Sequence, residues 1–282
     1  MSEQQVYHLC FVDSMRTWGG AEVWILETAL ALTDRGHRVS VVAQPGSELL
    51  ARCRDAGVAA AALPIRCDGA PWTIAALWWY FRSSGVTALV ANRTKDLKAA
   101  AVAGRLAGVP VILNARESDF PLKDKGYYRW YFNRGATGLL VASEATRRTL
   151  LASAPWLDPA RIHLLPKGID TERFRPAAAA PAVPTAGFGG QLIARTGVPV
   201  LMAAWSRIDA RERQPRPRLV LAGEGLLRPD LERWREGLRH PESVEIAGFV
   251  EDPAAFYRDL TVLAMPSHAE GFGLAAAEAL AA

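Results

Sequence analysis

Short apolar runs alternate with amphipathic segments along the chain. Residues 6–12 (VYHLCFV) form an apolar run that ends in a turn, and AEVWILETALALTDRG then repeats apolar positions at helical spacing up to Gly36. HRVSVVAQP predicts a second strand, and SELLARCRDAG predicts a second helix with a serine cap. The alternation continues through RIHLLPKGID. Strands that alternate with helices predict a parallel sheet covered on both faces.

The alternation stops at PAAAAPAVPTAG, residues 176–187, where proline and alanine follow one another without apolar periodicity. We therefore predict a linker at 176–187 between an N-terminal domain, residues 1–175, and a C-terminal domain, residues 188–282. Strand candidates near 186–192 and at RLVLAG, SVEIAG and TVLAMPS alternate with helical segments. The second domain is therefore also expected to be α/β.

Composition and charge narrow the class of protein only slightly. The chain has 282 residues, of which 50% are hydrophobic and 22% are charged, enough for two compact domains. Its formal net charge of +4 suits anionic partners without choosing among nucleotides, phospholipid headgroups and nucleic acid. The three cysteines, Cys10, Cys53 and Cys67, are widely spaced and predict reduced packing thiols in a cytosolic protein.

Two features argue against export and membrane insertion. The N-terminus MSEQQVYHLCFVD lacks a basic region followed by a long apolar stretch, so it predicts a first strand. The most apolar run, APWTIAALWWYF, is shorter than the ~20 residues that a membrane-spanning helix needs. We expect a cytoplasmic protein.

Three loops that follow strands are candidates for ligand binding, because ligands of open parallel sheets bind beyond the carboxyl ends of the strands. Gly19 and Gly20 stand at the entrance to a helix whose free N–H groups can hold a phosphate, although a turn that needs positive φ explains two glycines equally well. In GGQLIARTG, Arg195 is available for a diphosphate, or is a solvated surface residue. In AGEGLLRPDLE, the glycines around Glu224 would let a nucleobase or ribose approach, or would only open a helix.

A fourth loop, PSHAEGFGLAAAEALAA, carries more information. Gly271 and Gly273, on either side of Phe272, allow a tight turn that exposes backbone N–H groups before a helix that begins near Leu274. That turn brings the preceding carboxylate back toward the mouth of the helix. We therefore expect two acidic side chains, one on the loop and one on the helix, to face a single ligand.

The two acidic residues are Glu270, on the loop, and Glu278, on the second turn of the helix. Carboxylates accept hydrogen bonds from hydroxyls, so a polyhydroxylated ligand, with ribose at one glutamate and a hexose at the other, fits the pair better than a bare anion. No third Asp, Glu or His joins them locally, and no metal site is predicted.

The motifs resemble those of a known family. EGFGLAAAEAL resembles the two-glutamate signature of the retaining glycosyltransferases of family four, group one, whose GT-B architecture has two Rossmann-like domains with parallel sheets facing across a cleft. Other segments resemble the family's motifs in the family's order, which is more specific than any one match: GGAEVWILETALALTDRGHRVSVV, LPKGIDTERFRP, GQLIARTGVPVLMAAW, LVLAGEG, VEIAGFVEDPAAFY and VLAMPSHAEGFG.

The resemblance implies an enzyme that transfers a sugar from a UDP- or GDP-linked donor to a glycan or lipid-linked acceptor with retention of anomeric configuration, in cell-surface polysaccharide or lipopolysaccharide biosynthesis. It implies that Glu270 contacts hydroxyls of the donor sugar and that Glu278 contacts the ribose. The backbone from Gly271 to Leu274 and the Gly20 loop would hold the diphosphate. No metal or other cofactor is required in that scheme.

The sequence also departs from the family pattern. Gln191 and Thr196 stand where the family has two cations, and only the adjacent Arg195 could replace them. Arg116 and Glu117 stand near the position of a histidine that many members have beside the acceptor, and Arg116 could stabilise a phosphate or orient the acceptor. These departures leave a non-catalytic nucleotide-sugar-binding or assembly protein as an open alternative. A nicotinamide-dependent enzyme is disfavoured, because the first loop lacks GxGxxG.

The resemblance further implies a strand and several helices after the Glu278 helix, so the second domain is expected to be incomplete and less stable. On the acceptor side, WTIAALWWYF and PLKDKGYYRWYFNR mix aromatic with basic residues. This mixture predicts peripheral contact with the inner membrane surface, or else core packing of the aromatic residues. Binding of nucleic acid is not expected, because no recognised binding motif accompanies the charges.

Overall fold

The structure is a computed structural model that describes residues 5–65, 69–116, 119–211 and 214–282. Cys67 lies outside these ranges, whereas Cys10 and Cys53 are buried free thiols. The chain divides into two compact units, Met1–Lys167 and Gly168–Ala282. In the described part of the chain, no helix is long and apolar enough to cross a membrane.

Strands and helices alternate through the first unit. Their bounds are β1 His8–Asp13, α1 Gly20–Asp34, β2 Arg38–Ala43, α2 Glu48–Asp55, β3 Ala59–Ala62, α3 Pro71–Ser84, β4 Ala88–Ala91, α4 Thr94–Ala107, β5 Val111–Arg116, α5 Gly126–Trp130, β6 Gly138–Val141, α6 Glu144–Ser153 and β7 Ile162–Leu164. A turn of π-helix, Tyr131–Gly135, extends α5. The strands form one sheet in the order β3-β2-β1-β4-β5-β6-β7, and each neighbouring pair is parallel.

Both faces of this sheet are covered, as the alternation predicts. Successive side chains of β1 point to opposite faces, so Cys10 packs in one core cluster and Phe11 in another. The first cluster includes Leu77 of α3 and Leu97 of α4, and the second includes Ile25 of α1. Helices α3 and α4 therefore cover one face, and α1 covers the other.

The second unit continues the alternation. Its elements are β8 Thr185–Gly189, α7 Val198–Asp209, β9 Arg218–Ala222, α8 Arg228–Glu236, β10 Val244–Gly248, α9 Pro253–Arg258, β11 Val262–Leu263 and α10 Leu274–Ala281. The described strands form a parallel sheet in the order β10-β9-β8-β11. β11 is shorter than the predicted strand at 261–267, which contains Pro266, a residue without a backbone donor.

The boundary between the units differs from the predicted one. Phe174 is buried in a cluster with Ala254 and Tyr257, so the segment before the predicted linker packs with the second unit. The predicted linker, 176–187, also lies inside that unit, and β8 begins within it at Thr185. Proline and alanine content at 176–187 marks an irregular segment, whereas the contacts of Phe174 place the division earlier.

Candidate functional site

The second unit gathers three of the predicted loops at one edge of its sheet. The loops follow β8, β9 and β11, which are neighbours in a parallel sheet, so their carboxyl ends lie at the same edge. Gln191 and Arg195 follow β8, Glu224 follows β9, and Glu270 follows β11. The sequence thus predicted correctly that these residues come after strands.

Backbone hydrogen bonds join the loops after β8 and β9. The Leu192 amide donates to the Glu224 carbonyl (2.9 Å), and the Leu227 amide donates to the Leu192 carbonyl (2.9 Å). A Cβ at Gly223 would lie 1.9 Å from the carbonyl oxygen of Gly190, so this approach requires glycine. Close packing of the two loops therefore explains the glycines beside Glu224 without any ligand.

The carboxylate of Glu224 lies on the surface and pairs with the guanidinium of Arg228. Arg228 also binds Glu232 at 3.0 Å, one turn further along α8. Exposed pairs of this kind contribute little to stability. Glu224 is thus a partly neutralised side chain at the loop, and its role in donor binding stays a prediction.

Thr196 closes the loop after β8 instead of presenting a side chain to a ligand. Its hydroxyl lies 2.7 Å from the Gln191 carbonyl oxygen and 2.8 Å from the Ile193 carbonyl oxygen, and the residue is buried. Gln191 is exposed. A lysine at position 196 could not make these short contacts inside the loop, so the departure from the family pattern has a local structural reason.

Arg195 connects the loop after β8 with the loop that carries Glu270. Its guanidinium donates to the Ala269 carbonyl (2.9 Å), and its own carbonyl accepts from the His268 amide (3.0 Å). On the same loop, the Ser267 hydroxyl donates to Glu270 Oε1 (2.9 Å). The structure therefore brings a cation and an exposed carboxylate onto two loops that are bonded to each other.

Close packing at Gly197 holds the same two loops. This glycine has φ +77° and precedes α7, and a Cβ here would lie 2.0 Å from the Pro266 carbonyl oxygen. Any other residue would meet both an unfavourable backbone conformation and a collision. The contact fixes the start of α7 against the segment after β11.

The helix after EGFG begins at Leu274, as predicted. Gly273 adopts a left-handed conformation (φ +83°) as the N-cap of α10, and its carbonyl accepts from the Ala276 amide at 3.0 Å. A glycine cap has no side chain to satisfy the first amides of the helix, which leaves them for another acceptor. Gly271 is buried, and Phe272 and Leu274 are half-buried.

Glu278 lies on the second turn of α10, half-buried, beside Tyr257 of α9. Burial, followed by the charge of the Glu278 carboxylate, raises the pKa of Tyr257 above its ordinary value. Sequence reasoning missed Tyr257, because a tyrosine in DPAAFYRDL has the spacing of an ordinary packing residue.

In the first unit, Gly19 and Gly20 begin α1 just after β1. Gly19 has φ −164°, an extended conformation that does not require glycine, and its carbonyl accepts from the Val23 amide at 2.9 Å. The Lys167 ammonium donates to the Gly20 carbonyl (3.4 Å) and lies 5.4 Å from the centre of the Trp24 ring. A need for positive φ therefore does not explain Gly19, and the binding of a phosphate by the amides of this first turn stays a prediction.

Arg116 ends β5 with its side chain held inside the unit. Its guanidinium donates to Thr94 Oγ1 at 3.0 Å and to the Phe120 carbonyl. Burial lowers the pKa of Arg116. The catalytic role given to Arg116 stays a prediction, and Glu117 lies outside the described residues.

Sequence reasoning missed a buried acidic cluster in the first unit, formed by Asp13, Glu22 and Asp96 around Arg93. Arg93 Nη2 donates to Glu22 Oε1 (2.9 Å), and Arg93 Nε lies 3.7 Å from Asp13 Oδ1. Burial, helped by the charge of Asp13, raises the pKa of both Glu22 and Asp96 to about 7, and Arg93 opposes the rise. Asp13 and Arg93 follow apolar runs, which is the signal that could have identified them.

Within the ranges that the structure describes, no group of three His, Cys, Asp or Glu side chains is arranged to hold a metal ion.

Family models match both units. Residues 18–173 match the model of Glycosyltransferase Family 4, and residues 183–282 match that of Glycosyl transferases group 1. The chain belongs to glycosyltransferase family 4. The predicted family is thereby confirmed over most of the sequence.

Curated proteins that match the chain share about a third of the aligned residues with it. D-inositol 3-phosphate glycosyltransferase of Xylanimonas cellulosilytica is 32% identical over 162 residues, which are 52% of this chain and 39% of the relative. The chain thus spans well under half the length of this curated relative.

Solved structures with similar folds include HepE of Anabaena in complex with UDP-glucose, with a TM-score of 0.78 and 17% identity over 97% of this chain and 78% of that chain. A glycosyltransferase of Rickettsia africae gives a TM-score of 0.75 and 16% identity over 94% of this chain and 74% of that one. At this identity the likeness concerns the fold, and it confirms the predicted GT-B class.

Proposed function

We propose that this member of glycosyltransferase family 4 transfers a sugar from a UDP- or GDP-linked donor to a hydroxyl of a glycan or lipid-linked acceptor. The observation that carries the proposal is the hydrogen bond from the Arg195 guanidinium to the Ala269 carbonyl, which holds a cation against the loop that carries Glu270. The structure of HepE with UDP-glucose supports a nucleotide-sugar donor.

In the proposed donor site, the Glu278 carboxylate accepts hydrogen bonds from ribose hydroxyls, and Glu270 accepts them from the donor sugar. The amides that follow Gly273 at the start of α10 bind the diphosphate, because they point out of the helix and carry its positive dipole end. These groups are fixed before the donor binds, so they can stabilise the charge that develops on the leaving diphosphate. No metal ion is required.

Arg195 supplies the positive charge that Gln191 and Thr196 do not. Its fork has five donors, so one N–H on the Ala269 carbonyl leaves others for phosphate oxygens. In the first unit, the amides of the Gly20 loop are proposed to hold a phosphate, and the Arg116 guanidinium is proposed to stabilise a phosphate or orient the acceptor. The transfer is proposed to retain the anomeric configuration, as in the retaining members that the motifs resemble.

The acceptor is proposed to be lipid-linked, at the cytoplasmic membrane, in the synthesis of a cell-surface polysaccharide or lipopolysaccharide. Two tryptophans of α3, Trp72 and Trp79, are each 66% exposed, and α3 contains Arg82 but no acidic residue. Trp130, the last residue of α5, is 45% exposed, and Lys125 is the N-cap of that helix. Exposed indoles beside basic residues suit the headgroup region of an anionic bilayer.

A second candidate is a non-catalytic nucleotide-sugar-binding protein. The inward hydroxyl of Thr196 favours it, because the loop then lacks one of the cations that would stabilise a leaving diphosphate. Binding would survive this loss better than transfer, since the ribose and sugar contacts lie on other loops.

A titration and a turnover assay test both candidates. We expect the purified chain to bind UDP or GDP by calorimetry and to release nucleotide from UDP-glucose or GDP-mannose, as measured by chromatography. Proton NMR of the first sugar released should show the anomer of the donor. The Glu270→Gln variant should bind nucleotide normally but release less of it, and exposed Arg207→Ala is the control.

Each outcome has a meaning. Binding of neither UDP nor GDP overturns the proposal, and binding without release supports the non-catalytic candidate. Release of the opposite anomer contradicts only the proposed retention of configuration and leaves the proposed sugar transfer standing.

A further inference from the structure

The Gly20 loop, residues 14–20, joins β1 to the first turn of α1, and one arginine contacts the chain at both of its ends. Arg93 Nη2 donates to Glu22 Oε1 in the first turn of α1 (2.9 Å). Arg93 Nε lies 3.7 Å from Oδ1 of Asp13, the last residue of β1. A single guanidinium therefore holds the entry and the exit of the loop.

The order of strands in the sheet brings Arg93 to this place. β4 pairs with β1 in parallel, with Val12 opposite Ala91, and the Asn92 amide donates to the Val12 carbonyl at 3.0 Å. The two strands therefore end side by side. Arg93 follows directly as the N-cap of α4, and its side chain makes no capping hydrogen bond there. Its guanidinium binds the neighbouring segment and does not cap its own helix.

Both acidic partners of Arg93 are buried. The side chain of Asp13 is fully buried and that of Glu22 is 4% exposed, whereas that of Arg93 is 37% exposed. Asp13 Oδ1 also accepts from the Met15 amide (3.4 Å), a bond that turns the chain from β1 into the loop. Charge-assisted hydrogen bonds are stronger in a buried setting than in water. The contacts of Arg93 therefore restrain the loop more than a surface ion pair would.

Contacts from other elements also reach the loop. The Arg16 carbonyl accepts from the Glu48 amide of α2 at 3.3 Å, and the Lys167 ammonium donates to the Gly20 carbonyl at 3.4 Å. Both bonds are longer than the 2.9 Å bond that Arg93 makes, and each of them reaches one point of the loop. Arg93 differs from them because it contacts the chain before and after the loop.

We propose that Arg93 is a positioning residue, which holds the Gly20 loop in the shape that lets its amides bind a phosphate. The proposal rests on the proposed function, since it takes this loop as a phosphate site. Amides that are fixed before a ligand arrives bind it without the entropic cost of ordering the loop. Arg93 acts through Asp13 and Glu22.

The charges around Arg93 give this role a pH dependence. The groups that face one another are Asp13 of β1, Glu22 of α1, Asp96 of α4 and Arg93 itself. Burial raises the pKa of Glu22 and Asp96 to about 7, and Arg93 opposes the rise. Above about pH 7, the ionised carboxyl groups add negative charge beside the first turn of α1, so phosphate affinity should fall. Without Arg93 both pKa values are higher, and the fall should move to higher pH.

The first test compares the wild type with Arg93→Gln, using UDP-glucose and uridine, or GDP-mannose and guanosine if the wild type prefers GDP. Ordering one residue of the loop on binding costs roughly tenfold in affinity, so Arg93→Gln should bind UDP-glucose roughly tenfold more weakly. Uridine has no phosphate and should bind both proteins equally. Calorimetry measures the nucleotide sugar, and ligand-observed NMR measures the nucleoside.

A matched control is available in the same unit. Arg161 donates to three backbone carbonyls beside β6, so Arg161→Gln also removes a structural arginine. It should leave the affinities for UDP-glucose and uridine unchanged. Arg93→Lys keeps the charge but loses the forked guanidinium, and it should lose less affinity for UDP-glucose than Arg93→Gln. Melting temperatures show whether each variant is folded.

A pH series and a double-mutant cycle give readouts that general loss of stability would not produce. The diphosphate of UDP-glucose does not titrate near neutral pH, so a change in affinity there reports on the protein. The affinity of the wild type should fall above about pH 7, and that of Arg93→Gln should fall at higher pH. Glu22→Ala and Arg93→Gln should have less than additive effects on UDP-glucose binding, because both remove one contact.

The outcomes separate the positioning role from the proposed function. A wild type that binds UDP-glucose while Arg93→Gln binds it equally well overturns the positioning role and leaves the proposed function standing. Equal losses for UDP-glucose and uridine, additive effects in the cycle, or an unchanged pH midpoint overturn it as well. If Arg93→Gln does not fold, Arg93→Lys and Glu22→Ala provide the same comparison of ligands. A wild type that binds neither UDP-glucose nor GDP-mannose removes both.

Discussion

Arg93 donates a hydrogen bond to Glu22 across 71 positions of sequence, at 2.9 Å, and so joins the turn before α4 to the first turn of α1. This contact lies within the buried cluster that also holds Asp13 and Asp96. One cation faces three carboxyl groups there. The cluster therefore holds protons at a pH where exposed carboxyl groups have lost them.

The cluster predicts that stability falls as the pH rises toward neutrality. The folded-state pKa of Glu22 is about 7 against an ordinary 4.5, so the folded protein binds a proton that the unfolded chain releases. The contribution of Glu22 to stability should be largest below about pH 4.5 and should fall between about pH 4.5 and 7. Above about pH 7 it should no longer change with pH. At ~1.4 kcal/mol per pH unit, Glu22 accounts for a loss of ~3 kcal/mol.

Urea unfolding at a series of pH values measures this slope. Glu22→Gln and Asp96→Asn should each flatten it, and the exposed Glu242→Gln should not. A wild type whose stability rises through the same interval would show that the cluster is ionised in the folded protein.

Arg195 is expected to govern nucleotide-diphosphate affinity. Arg195→Ala removes a cation and its bond to the Ala269 carbonyl, and should weaken UDP binding by roughly tenfold or more. Arg195→Lys keeps the positive charge but loses the forked guanidinium. Its affinity for UDP should therefore lie between those of the wild type and Arg195→Ala. Calorimetry in low and high salt measures the effect, with Arg207→Ala as the control for net charge. Equal affinity in wild type and Arg195→Ala would remove this residue from the donor site.

The exposed tryptophans of α3 are expected to bind anionic lipid. Trp72→Ala and Trp79→Ala should each weaken binding to phosphatidylglycerol vesicles by roughly tenfold, since an indole removed from water is worth about 1.5 kcal/mol or more. Binding should also weaken with added salt, because Arg82 and Lys125 contribute through charge. Vesicle sedimentation measures it. Leu226→Ala, at an 89% exposed site of the second unit, is the control, and unchanged sedimentation of both variants would contradict the proposal.

Gly197 is expected to tolerate no side chain. Gly197→Ala combines a left-handed φ, at a cost of ~1–2 kcal/mol, with a collision 2.0 Å from the Pro266 carbonyl oxygen that adds ~1–3 kcal/mol. Gly36→Ala has a similar φ of +83°, and no described atom lies within 4 Å of its Cβ, so it measures the backbone cost alone. Thermal unfolding should separate the two. Similar melting temperatures would show that the contact with Pro266 yields easily.

Local patterns predicted the fold because they act over a few residues. Ser47 caps α2 as expected, with its hydroxyl accepting from the Leu50 amide at 3.3 Å. Gly273 bends the chain into α10 as expected, because only backbone freedom is needed there. These features are encoded where they occur, and neighbouring residues suffice to recognise them.

Contacts between distant segments could not be predicted in this way. Asp13, Glu22 and Arg93 are unremarkable at their own positions and meet only because β1 and β4 are neighbours in the sheet. Tyr257 has the spacing of a packing residue, and its place beside α10 depends on where that helix returns. In the linear motif, Thr196 stands where the family has a cation. In the structure, its hydroxyl donates to a carbonyl within the loop and so closes the loop after β8.

Main-chain bonds such as that from the Leu192 amide to the Glu224 carbonyl have a consequence for how the sequence can change over generations. Backbone hydrogen bonds and glycines determine the shape of these loops. Substitutions of the exposed Gln191 side chain therefore leave that shape unchanged. Gly197 and Gly223 have no such freedom, because a Cβ at either position would collide with a backbone carbonyl oxygen.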